Sequence, residues 1–305
     1  MRSVRTLAAA LDAGPVLLDG GLSNQLEAQG CDLSDALWSA RLLADAPGQI
    51  GAAHLAYARA GAQVLITAGY QATFEGFARY GIGRARTEEL LARSVDLAGA
   101  AADSARRESP GREIWIAASV GPYGAMLADG SEYRGRYGLS VRELEAFHRP
   151  RVAVLAAAGP DALALETVPD MDEAEALLRV TEAYGVPVWL SYSVLGDRTR
   201  AGQPLREAFA LAAGRDHVMA VGVNCCDPAD ADRAVALAAE VMGKPVVVYP
   251  NSGERWDAGR RGWTGASTFD PERVRSWTRA GARLVGGCCR VGPARIAELA
   301  GQLGR

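Results

Sequence analysis

Residues 242–252 read Met-Gly-Lys-Pro-Val-Val-Val-Tyr-Pro-Asn-Ser, and this order predicts how the chain folds. A glycine ends a helical pattern, a run of valines follows, and polar residues come after the run. Consecutive apolar residues without polar alternation are typical of a strand buried on both faces of a parallel sheet. Glycine at such a junction ends the preceding helix in a left-handed conformation. The stretch therefore predicts a helix, a buried strand and a polar loop.

The same unit recurs along the whole chain. We predict eight strands, at Val16–Leu18, Gln63–Thr67, Ile114–Val120, Ala162–Leu165, Pro187–Ser193, Val218–Val223, Pro245–Tyr249 and Ala282–Val285. Helical patterns lie between them, at Gln49–Ala60, Thr87–Arg107, Val141–Ala158, Met171–Tyr184, Leu205–Ala213, Ala229–Met242 and Pro271–Arg279, and a last one at Pro293–Leu303. Strands that alternate with helices indicate a parallel sheet. Eight such units in 305 residues predict the α/β class and a closed (β/α)8 TIM barrel, with residues 1–305 as one domain.

A doubly wound open sheet is the alternative fold. That architecture normally has fewer strands and a glycine-rich turn that binds phosphate. The first strand instead leads into Asp19-Gly20-Gly21-Leu22-Ser23-Asn24, which lacks the G-x-G-x-x-G spacing. The sequence therefore favours the barrel and argues against a nucleotide site.

Composition excludes several classes of function. The net charge is −3 and the estimated pI is 5.8, so we expect neither nucleic-acid binding nor a membrane-surface role. No apolar run is long enough to span a membrane, and Asp12 interrupts the N-terminal apolar stretch, which argues against a signal peptide. Five cysteines, four of them in the second half, fit a reducing cytoplasm better than a disulfide framework.

Chemically active residues follow the predicted strands. In a barrel these positions lie on one face, where active sites are built. The strand ends supply Asp19, Thr67, Tyr70, Glu166, Asn224, Cys225, Cys226, Cys288 and Cys289. The three longest loops, Gly121–Gly138, Leu195–Pro204 and Pro250–Phe269, lie on the same predicted face and would form substrate walls or lids.

The two cysteine pairs predict a zinc site with three thiolate ligands. Zinc prefers sulfur and tetrahedral geometry, and three protein ligands leave a fourth position open for catalysis. Cys288 and Cys289 supply two ligands if Gly286-Gly287 allows a close backbone approach. Cys225 is the third candidate, and Cys226 competes with it because successive strand residues face opposite ways. Buried, inert cysteines are the alternative interpretation.

The remaining residues narrow the chemistry. Lys244, the only lysine, precedes its strand and excludes a Schiff-base aldolase. His54, His148 and His217 form no metal-binding pattern, so we interpret them as structural or surface groups. An all-sulfur zinc site suits the activation of another thiol as a thiolate nucleophile. Asp19 and Glu166 would then hold a cation such as an α-ammonium group.

Longer motifs carry a resemblance to a known family. Gly222-Val223-Asn224-Cys225 and Gly286-Gly287-Cys288-Cys289-Arg290 resemble the zinc signature of homocysteine S-methyltransferases. The likeness covers nearly the whole chain. It extends through Leu18–Gly21, Asp35–Ala40, Ala60–Gln63, Thr67–Thr73, Ser119–Ala125, Ala128–Gly135, Phe147–Arg151 and Val248–Glu254. These motifs are most similar to the branch that uses S-methylmethionine, with S-adenosylmethionine as a possible second donor, and less similar to the betaine branch.

The resemblance implies a (β/α)8 barrel that binds zinc through Cys225, Cys288 and Cys289. It implies that Asp19 and Glu166 bind homocysteine, with Asn224 beside the metal. Thr67 and Tyr70 are further candidate substrate-binding residues, and Tyr70 or Tyr123 would face a sulfonium donor through cation–π contact. The expected partners are therefore small molecules, and we expect a cytoplasmic monomer or homodimer. Methyl transfer to homocysteine would form methionine.

Two positions depart from the family pattern. Gly21 stands where alanine is commoner, and Gly69 stands where serine or threonine is commoner. We expect both to leave space that changes the fit of the donor. Cys226 is an additional cysteine and is interpreted as a bystander. The alternative functions are a zinc-bearing barrel that binds a thiol metabolite without turnover, a methyltransferase that uses betaine or another donor, and a fragment of a cobalamin-dependent methyltransferase.

Overall fold

The computed structural model describes residues 5–35, 37–257 and 262–304. Predicted features at residues 1–4, 36, 258–261 and 305 lie outside the described residues. Eight parallel strands form one sheet: β1 (Val16–Leu17), β2 (Val64–Ile66), β3 (Trp115–Val120), β4 (Ala162–Val168), β5 (Val188–Tyr192), β6 (Val218–Asn224), β7 (Val246–Tyr249) and β8 (Ala282–Val285). Each strand pairs with the next one in sequence, and all eight predicted strands are present.

The sheet closes on itself. Val16 of β1 pairs with Leu284 of β8, and Leu17 pairs with Val285. A parallel bridge between Leu18 and Val64 joins β1 to β2 on the other side. The structure is therefore the predicted (β/α)8 barrel, and the open-sheet alternative is wrong.

Helices surround the barrel. They are α1 (Leu7–Ala13), α2 (Leu22–Ala28), α3 (Leu42–Asp45), α4 (Pro47–Arg59), α5 (Phe74–Ala78), α6 (Arg84–Glu108), α7 (Tyr123–Leu127), α8 (Val141–Ala157), α9 (Met171–Thr181), α10 (Leu205–Ala210), α11 (Pro228–Met242), α12 (Arg273–Arg279) and α13 (Pro293–Gln302). Within the described residues, none of these helices is both long and apolar enough to cross a membrane.

Glycines end the helices that lead into the strands, as the sequence predicts. Gly61, Gly159, Gly185, Gly243 and Gly281 all have positive φ, from +59° at Gly243 to +113° at Gly281. A residue with a Cβ would be strained in this left-handed region. The glycines therefore turn the chain from the outer layer of helices back into the sheet.

Two apolar layers stabilise the barrel. One lies between the strands and the surrounding helices and contains most of the buried aliphatic residues. The other fills the barrel interior, where Trp115, Trp189 and Tyr249 are buried. Helix α1 packs Leu7 and Leu11 against this interior cluster. The interior is therefore a packed core, and the open space for a site lies at the C-terminal ends of the strands.

The three predicted loops contain short regular elements. Residues 121–138 include α7 and a 3₁₀ turn, Ser131–Tyr133, and residues 195–204 form part of a hairpin between Val194–Leu195 and Arg198–Thr199. Arg255–Asp257 pairs with Gly262–Thr264 in the third loop. The guanidinium of Arg200 lies 5.4 Å from the ring centroid of Tyr133, so two of the loops meet over the barrel.

Candidate active site

Two buried carboxylates lie at the ends of β1 and β4. Asp19 is 2% exposed, and its Oδ2 accepts a hydrogen bond of 2.9 Å from the backbone N–H of Ile66. Its Oδ1 is buried and has no hydrogen-bond partner among the described residues. Burial raises the pKa of Asp19 well above its usual value, and the nearby Glu166 raises it further. Two like charges therefore act on one small region, which favours a bound cation there.

Glu166 is held by hydroxyl groups. Its Oε1 accepts a short hydrogen bond from Ser119, and its Oε2 accepts one of 3.1 Å from Tyr249. Burial raises the pKa of Glu166 to about 7, and the two hydroxyl donors oppose that rise. The ring nitrogen of Trp189 donates to the Tyr249 hydroxyl, and Ser191 lies 2.8 Å from it. The orientation of Glu166 is thus fixed by a buried network.

Asn224 holds the backbone beside Glu166. Its Oδ1 accepts a 2.7 Å hydrogen bond from the N–H of Thr167, and its Nδ2 donates a 2.8 Å bond to the Thr167 hydroxyl. Thr167 has φ of +58°, an unusual conformation for a β-branched residue, and the β4–β5 register shifts between Leu165 and Val168. Such a bulge re-aims side chains next to active sites. Asn224 therefore stabilises the bulge that orients Glu166.

The other two predicted substrate-binding residues lie in the same region. Thr67 is buried, and its hydroxyl oxygen accepts a 3.1 Å hydrogen bond from the N–H of Ser119. Tyr70 hydrogen-bonds Thr167, and burial raises the pKa of Tyr70 well above its usual value. Both residues therefore contact neighbours of Glu166.

Three sulfur atoms meet above the strand ends. The Sγ atoms of Cys225, Cys288 and Cys289 all lie within 4.8 Å of one another. Cys225 has φ of +48°, and the Cys289 N–H donates a 3.1 Å hydrogen bond to Asn251 Oδ1. A Cβ at Gly286 would lie 2.7 Å from that of Leu18, so the close backbone approach predicted for Gly286-Gly287 is present. One ion would be within reach of all three sulfurs, so these residues fit a metal.

Two of these cysteines are paired in the structure. Cys225 and Cys288 form a disulfide with a Cα–Cα distance of 5.6 Å, and Cys289 Sγ lies 3.9 Å from Cys225 Sγ. The prediction of three thiolates therefore applies to the two-electron-reduced state. Cys226 points elsewhere, because it is fully buried in the layer between sheet and helices, where burial raises its pKa. The structure thus separates Cys225 from its competitor.

Residues 121–138 add two groups that the strand-end argument did not include. Burial raises the pKa of the Cys289 thiol to about 11, and the hydroxyl of Tyr133 lowers it. Glu132 is 8% exposed, its pKa is raised by burial, and its charge acts on Tyr70, Tyr133 and Cys289. The positions of Tyr133 and Glu132 depend on how residues 121–138 fold over the barrel. No periodic pattern in the sequence predicts that loop conformation.

A buried cluster anchors that loop. Arg151 donates to the Gly121 carbonyl oxygen and to His148 Nδ1, and His148 Nε2 lies 2.9 Å from Glu173 Oε1. Glu173 also accepts a hydrogen bond from the N–H of Tyr123. The ring of Tyr123 packs against Phe147, with centroids 4.8 Å apart. These contacts support a structural role for His148 and place Tyr123 in the loop's anchor.

The space expected at Gly21 and Gly69 is absent. A Cβ at Gly21 would lie 2.6 Å from the carbonyl oxygen of Cys288, and one at Gly69 would lie 2.7 Å from the carbonyl oxygen of Ser119. The expectation of open space is wrong, because neighbouring backbone atoms already occupy the volume that a side chain would need at each glycine. Gly21 therefore brings the first turn close to the cysteine pair.

Comparison with known proteins identifies the family. Residues 16–303 match the family described as homocysteine S-methyltransferase. The chain belongs to this family. Homocysteine S-methyltransferase from Escherichia coli (strain K12) is 45% identical over 300 residues, which cover 96% of this chain and 97% of the relative. Selenocysteine Se-methyltransferase from Brassica oleracea var. italica is 42% identical over 301 residues, covering 93% and 87% of the two chains.

A solved homocysteine methyltransferase has the same fold. The metallated form of MmuM from Escherichia coli is similar with a TM-score of 0.88 and 44% identity, covering 96% of this chain and 98% of that one. This homocysteine S-methyltransferase family member is therefore an enzyme whose reaction is methyl transfer to homocysteine. A metallated relative and the three-sulfur group together indicate a metal site.

Proposed function

We propose that this enzyme transfers a methyl group from S-methylmethionine to homocysteine in a zinc-dependent reaction, and that S-adenosylmethionine is a second donor. The observation that carries the proposal is the position of the sulfur cluster next to two buried carboxylates. The Gly287 N–H donates a 3.2 Å hydrogen bond to the carbonyl oxygen of Asp19, and the charge of Glu166 acts on Cys289. A group that would bind a thiol and a group that would bind an ammonium ion thus lie close together.

The carboxylates suit the α-ammonium group of homocysteine. Asp19 has an unpartnered Oδ1, and Glu166 already has its orientation fixed by Ser119 and Tyr249. An ammonium group between them would donate hydrogen bonds and offset the repulsion of two buried negative charges. We assign Asp19 and Glu166 to this role, and we assign Asn224 to positioning Glu166 through Thr167.

Cys225, Cys288 and Cys289 would hold zinc once the Cys225–Cys288 disulfide is reduced. Zinc, when bound, supplies the Lewis acidity that keeps the homocysteine sulfur as a thiolate at neutral pH. The protein would hold homocysteine by its ammonium group, so that its sulfur points towards the cysteines. Thr67 and Tyr70 would line the adjoining wall, because both contact neighbours of Glu166.

The chemical step is a direct displacement. The homocysteine sulfur attacks the methyl carbon of the sulfonium donor, a new S–CH₃ bond forms, and the old one breaks with its electron pair going to the donor sulfur. S-methylmethionine becomes methionine, and homocysteine becomes a second methionine. The leaving thioether is neutral, so no general acid is needed. The contribution of the protein is alignment of the two sulfurs and exclusion of water.

The test is methionine formation by the reduced, zinc-loaded enzyme from homocysteine with S-methylmethionine, with and without a chelator. We expect turnover that the chelator abolishes and zinc restores. Turnover that withstands removal of all metal would contradict the zinc assignment. If only betaine supports turnover, the donor assignment fails and the family reaction remains. Homocysteine binding without methionine formation from any donor would support the binding-protein alternative.

Selenocysteine is a second candidate acceptor. One relative is named a selenocysteine Se-methyltransferase, and the selenol of selenocysteine would attack the donor as the thiol of homocysteine does. Competition between homocysteine and selenocysteine for the same donor would measure which acceptor the enzyme prefers.

We further propose that residues 1–305 act as one domain, in the cytoplasm, as a monomer or homodimer. Sedimentation of the reduced protein tests the oligomeric state.

A further inference from the structure

Arg200 lies in the hairpin that follows β5, and hydrogen bonds fix its backbone at the ends of two strands. Its N–H donates a 3.2 Å hydrogen bond to the carbonyl oxygen of Ser193, the first residue after β5. The N–H of the next residue, Ala201, donates a 2.9 Å bond to the carbonyl oxygen of Pro169, the first residue after β4. The side chain of Arg200 therefore begins at a fixed point at the C-terminal ends of β4 and β5.

The guanidinium of Arg200 is held next to the cysteine cluster. Its Nε donates a 3.2 Å hydrogen bond to the buried hydroxyl of Ser193, and that hydroxyl donates a 3.3 Å bond to the carbonyl oxygen of Cys225. The ring of Tyr133 covers the guanidinium from the loop above. Two hydrogen bonds thus connect a cationic side chain to one of the three clustered cysteines.

The two terminal nitrogen atoms of Arg200 are left without a partner. Within the part of the chain that the structure describes, they form neither a hydrogen bond nor a salt bridge. Arg198 in the same hairpin differs, because it donates to the Gly202 carbonyl oxygen and lies 3.9 Å from Asp197. The terminal nitrogens of an arginine form the planar fork that binds a carboxylate through two parallel hydrogen bonds. Arg200 is only partly buried, so this fork is open to a ligand.

The substrates of the proposed reaction have a charged group to which the site has so far assigned no partner. Homocysteine and S-methylmethionine are both amino acids, and each has an α-carboxylate beside its α-ammonium group. Asp19 and Glu166 would attract the ammonium group but repel the carboxylate. A carboxylate that leaves water for such a site needs a cation or hydrogen-bond donors. Arg200 offers both at the strand ends.

We propose that Arg200 binds the α-carboxylate of an amino acid substrate, either homocysteine or the methyl donor. This inference rests on the proposed function and specifies which residue recognises the carboxylate. Ser193 is a positioning residue, because its hydroxyl holds the Nε of Arg200. Tyr133 supports the guanidinium from one side. The terminal nitrogens then bind the two carboxylate oxygens.

Four ligands test the proposal on the reduced, zinc-loaded protein. They are homocysteine, S-methylmethionine and their counterparts without a carboxylate, 3-aminopropanethiol and (3-aminopropyl)dimethylsulfonium. At equal zinc content, Arg200→Gln should raise the Kd of one amino acid about 10- to 100-fold, the range for loss of a charge-assisted contact. The Kd of its counterpart without a carboxylate should be the same in the variant and the wild type. The amino acid that loses affinity identifies which carboxylate Arg200 binds.

Two results would overturn the proposal. One is an unchanged Kd for both amino acids in Arg200→Gln. The other is an equal loss of affinity for an amino acid and for its counterpart without a carboxylate, since the effect would then not involve that group.

Two further variants separate carboxylate binding from the general charge of the hairpin. Arg200→Lys keeps the charge but lacks the planar fork, so its affinity should lie between those of the wild type and Arg200→Gln. Arg198→Gln removes a positive charge from the same hairpin and should leave every Kd unchanged. An equal loss of affinity in Arg198→Gln would contradict a specific role for Arg200.

Failure of the proposed donor is a separate outcome. The wild type would then bind homocysteine but make no methionine with S-methylmethionine. Homocysteine and 3-aminopropanethiol would still test Arg200, because methyl transfer to homocysteine is the reaction of the family. Equal homocysteine binding by the wild type and Arg200→Gln would in that case overturn the assignment.

Discussion

Asn224 binds Thr167 at two points, through a 2.7 Å hydrogen bond to its backbone N–H and a 2.8 Å bond to its hydroxyl. The two residues lie on β6 and β4, which are separated by β5. The two hydrogen bonds therefore pass across the end of β5 and hold Thr167 at a φ of +58°. A left-handed conformation at a β-branched residue stores about 1–3 kcal/mol of strain, which the Asn224 contacts offset.

Replacement of Asn224 by alanine should release that strained turn. The N–H of Thr167 would lose its partner in a buried site, so we expect a loss of about 2 kcal/mol in the free energy of unfolding. Thr167→Gly relieves the strain, so Asn224→Ala should reduce the free energy of unfolding by about 1 kcal/mol less in a Thr167→Gly protein than in the wild type. Urea unfolding of the wild type, the two single variants and the double variant measures this difference. Strictly additive effects would show that the two residues do not act as a unit.

Each cysteine of the cluster should be required for metal and activity. We expect kcat/KM to fall by more than about 100-fold in each of Cys225→Ser, Cys288→Ser and Cys289→Ser. Loss of a residue that only supports a metal ligand typically costs up to about 100-fold, and loss of a ligand itself should cost more. Zinc content per chain, measured on reduced protein, should fall in parallel. Cys226→Ala is the matched control, because its thiol lies in the apolar layer. It should keep its zinc and cost about 1 kcal/mol of stability. Near-normal activity of Cys225→Ser with zinc retained would refute the three-sulfur site.

Homocysteine affinity should depend on the ionisation of Glu166. Its pKa is about 7, and only the ionised form attracts an ammonium group. Affinity should therefore fall as the pH drops below 7, by up to about 10-fold per pH unit. Tyr249→Phe removes a hydrogen bond that lowers this pKa, so the acid limb should move to higher pH. Binding titrations between pH 5.5 and 8.5 test the shift, with Tyr184→Phe, outside the site, as control. Identical profiles for Tyr249→Phe and the wild type would contradict the role of this hydroxyl.

Alanine at Gly21 should disturb the cysteine pair. Its Cβ would lie 2.6 Å from the Cys288 carbonyl oxygen, a backbone atom that moves only with the turn itself. We expect a loss of about 1–3 kcal/mol in stability and weaker zinc binding. Gly99→Ala is the matched control, because a Cβ at this position in α6 meets no atom within 4 Å. It should stabilise the protein by about 0.5–1 kcal/mol. Unchanged zinc affinity in Gly21→Ala would show that the turn accommodates a methyl group.

The sequence predicts the architecture well because the strands are largely buried on both faces and left-handed glycines mark five of the junctions between a helix and the next strand. All eight strands occur where the apolar runs indicate, and the junction glycines have the left-handed conformation. Ends of elements are less predictable. The strand predicted to stop at Leu165 continues to Val168, because the Asn224 contact holds Thr167 in place. That contact joins residues 57 positions apart and has no local signal.

Site residues that follow strands can be predicted from the sequence, whereas those whose positions depend on loop conformation cannot. The cysteines and the two acids follow strands, so the barrel brings them together. Glu132 and Tyr133 influence the pKa of Cys289 only because α7 and the following turn fold over the barrel, anchored by Arg151 at Gly121. The close approach of the Cys288 backbone to Gly21 could not be predicted either. A glycine in a sequence is equally compatible with open space and with a neighbouring backbone that packs against it.

Pairing of the first strand with the last sets the order in which the molecule is completed. Val16 and Leu284 are neighbours in the sheet although nearly the whole sequence separates them. Contacts between residues so far apart in sequence form late, because closing a large loop costs entropy before the contacts stabilise the fold. The segment that closes the ring also carries Cys288 and Cys289. During synthesis on the ribosome, the three sulfurs therefore cannot assemble until the segment that closes the barrel has been made, and a shorter nascent chain has no complete set of ligands for a metal.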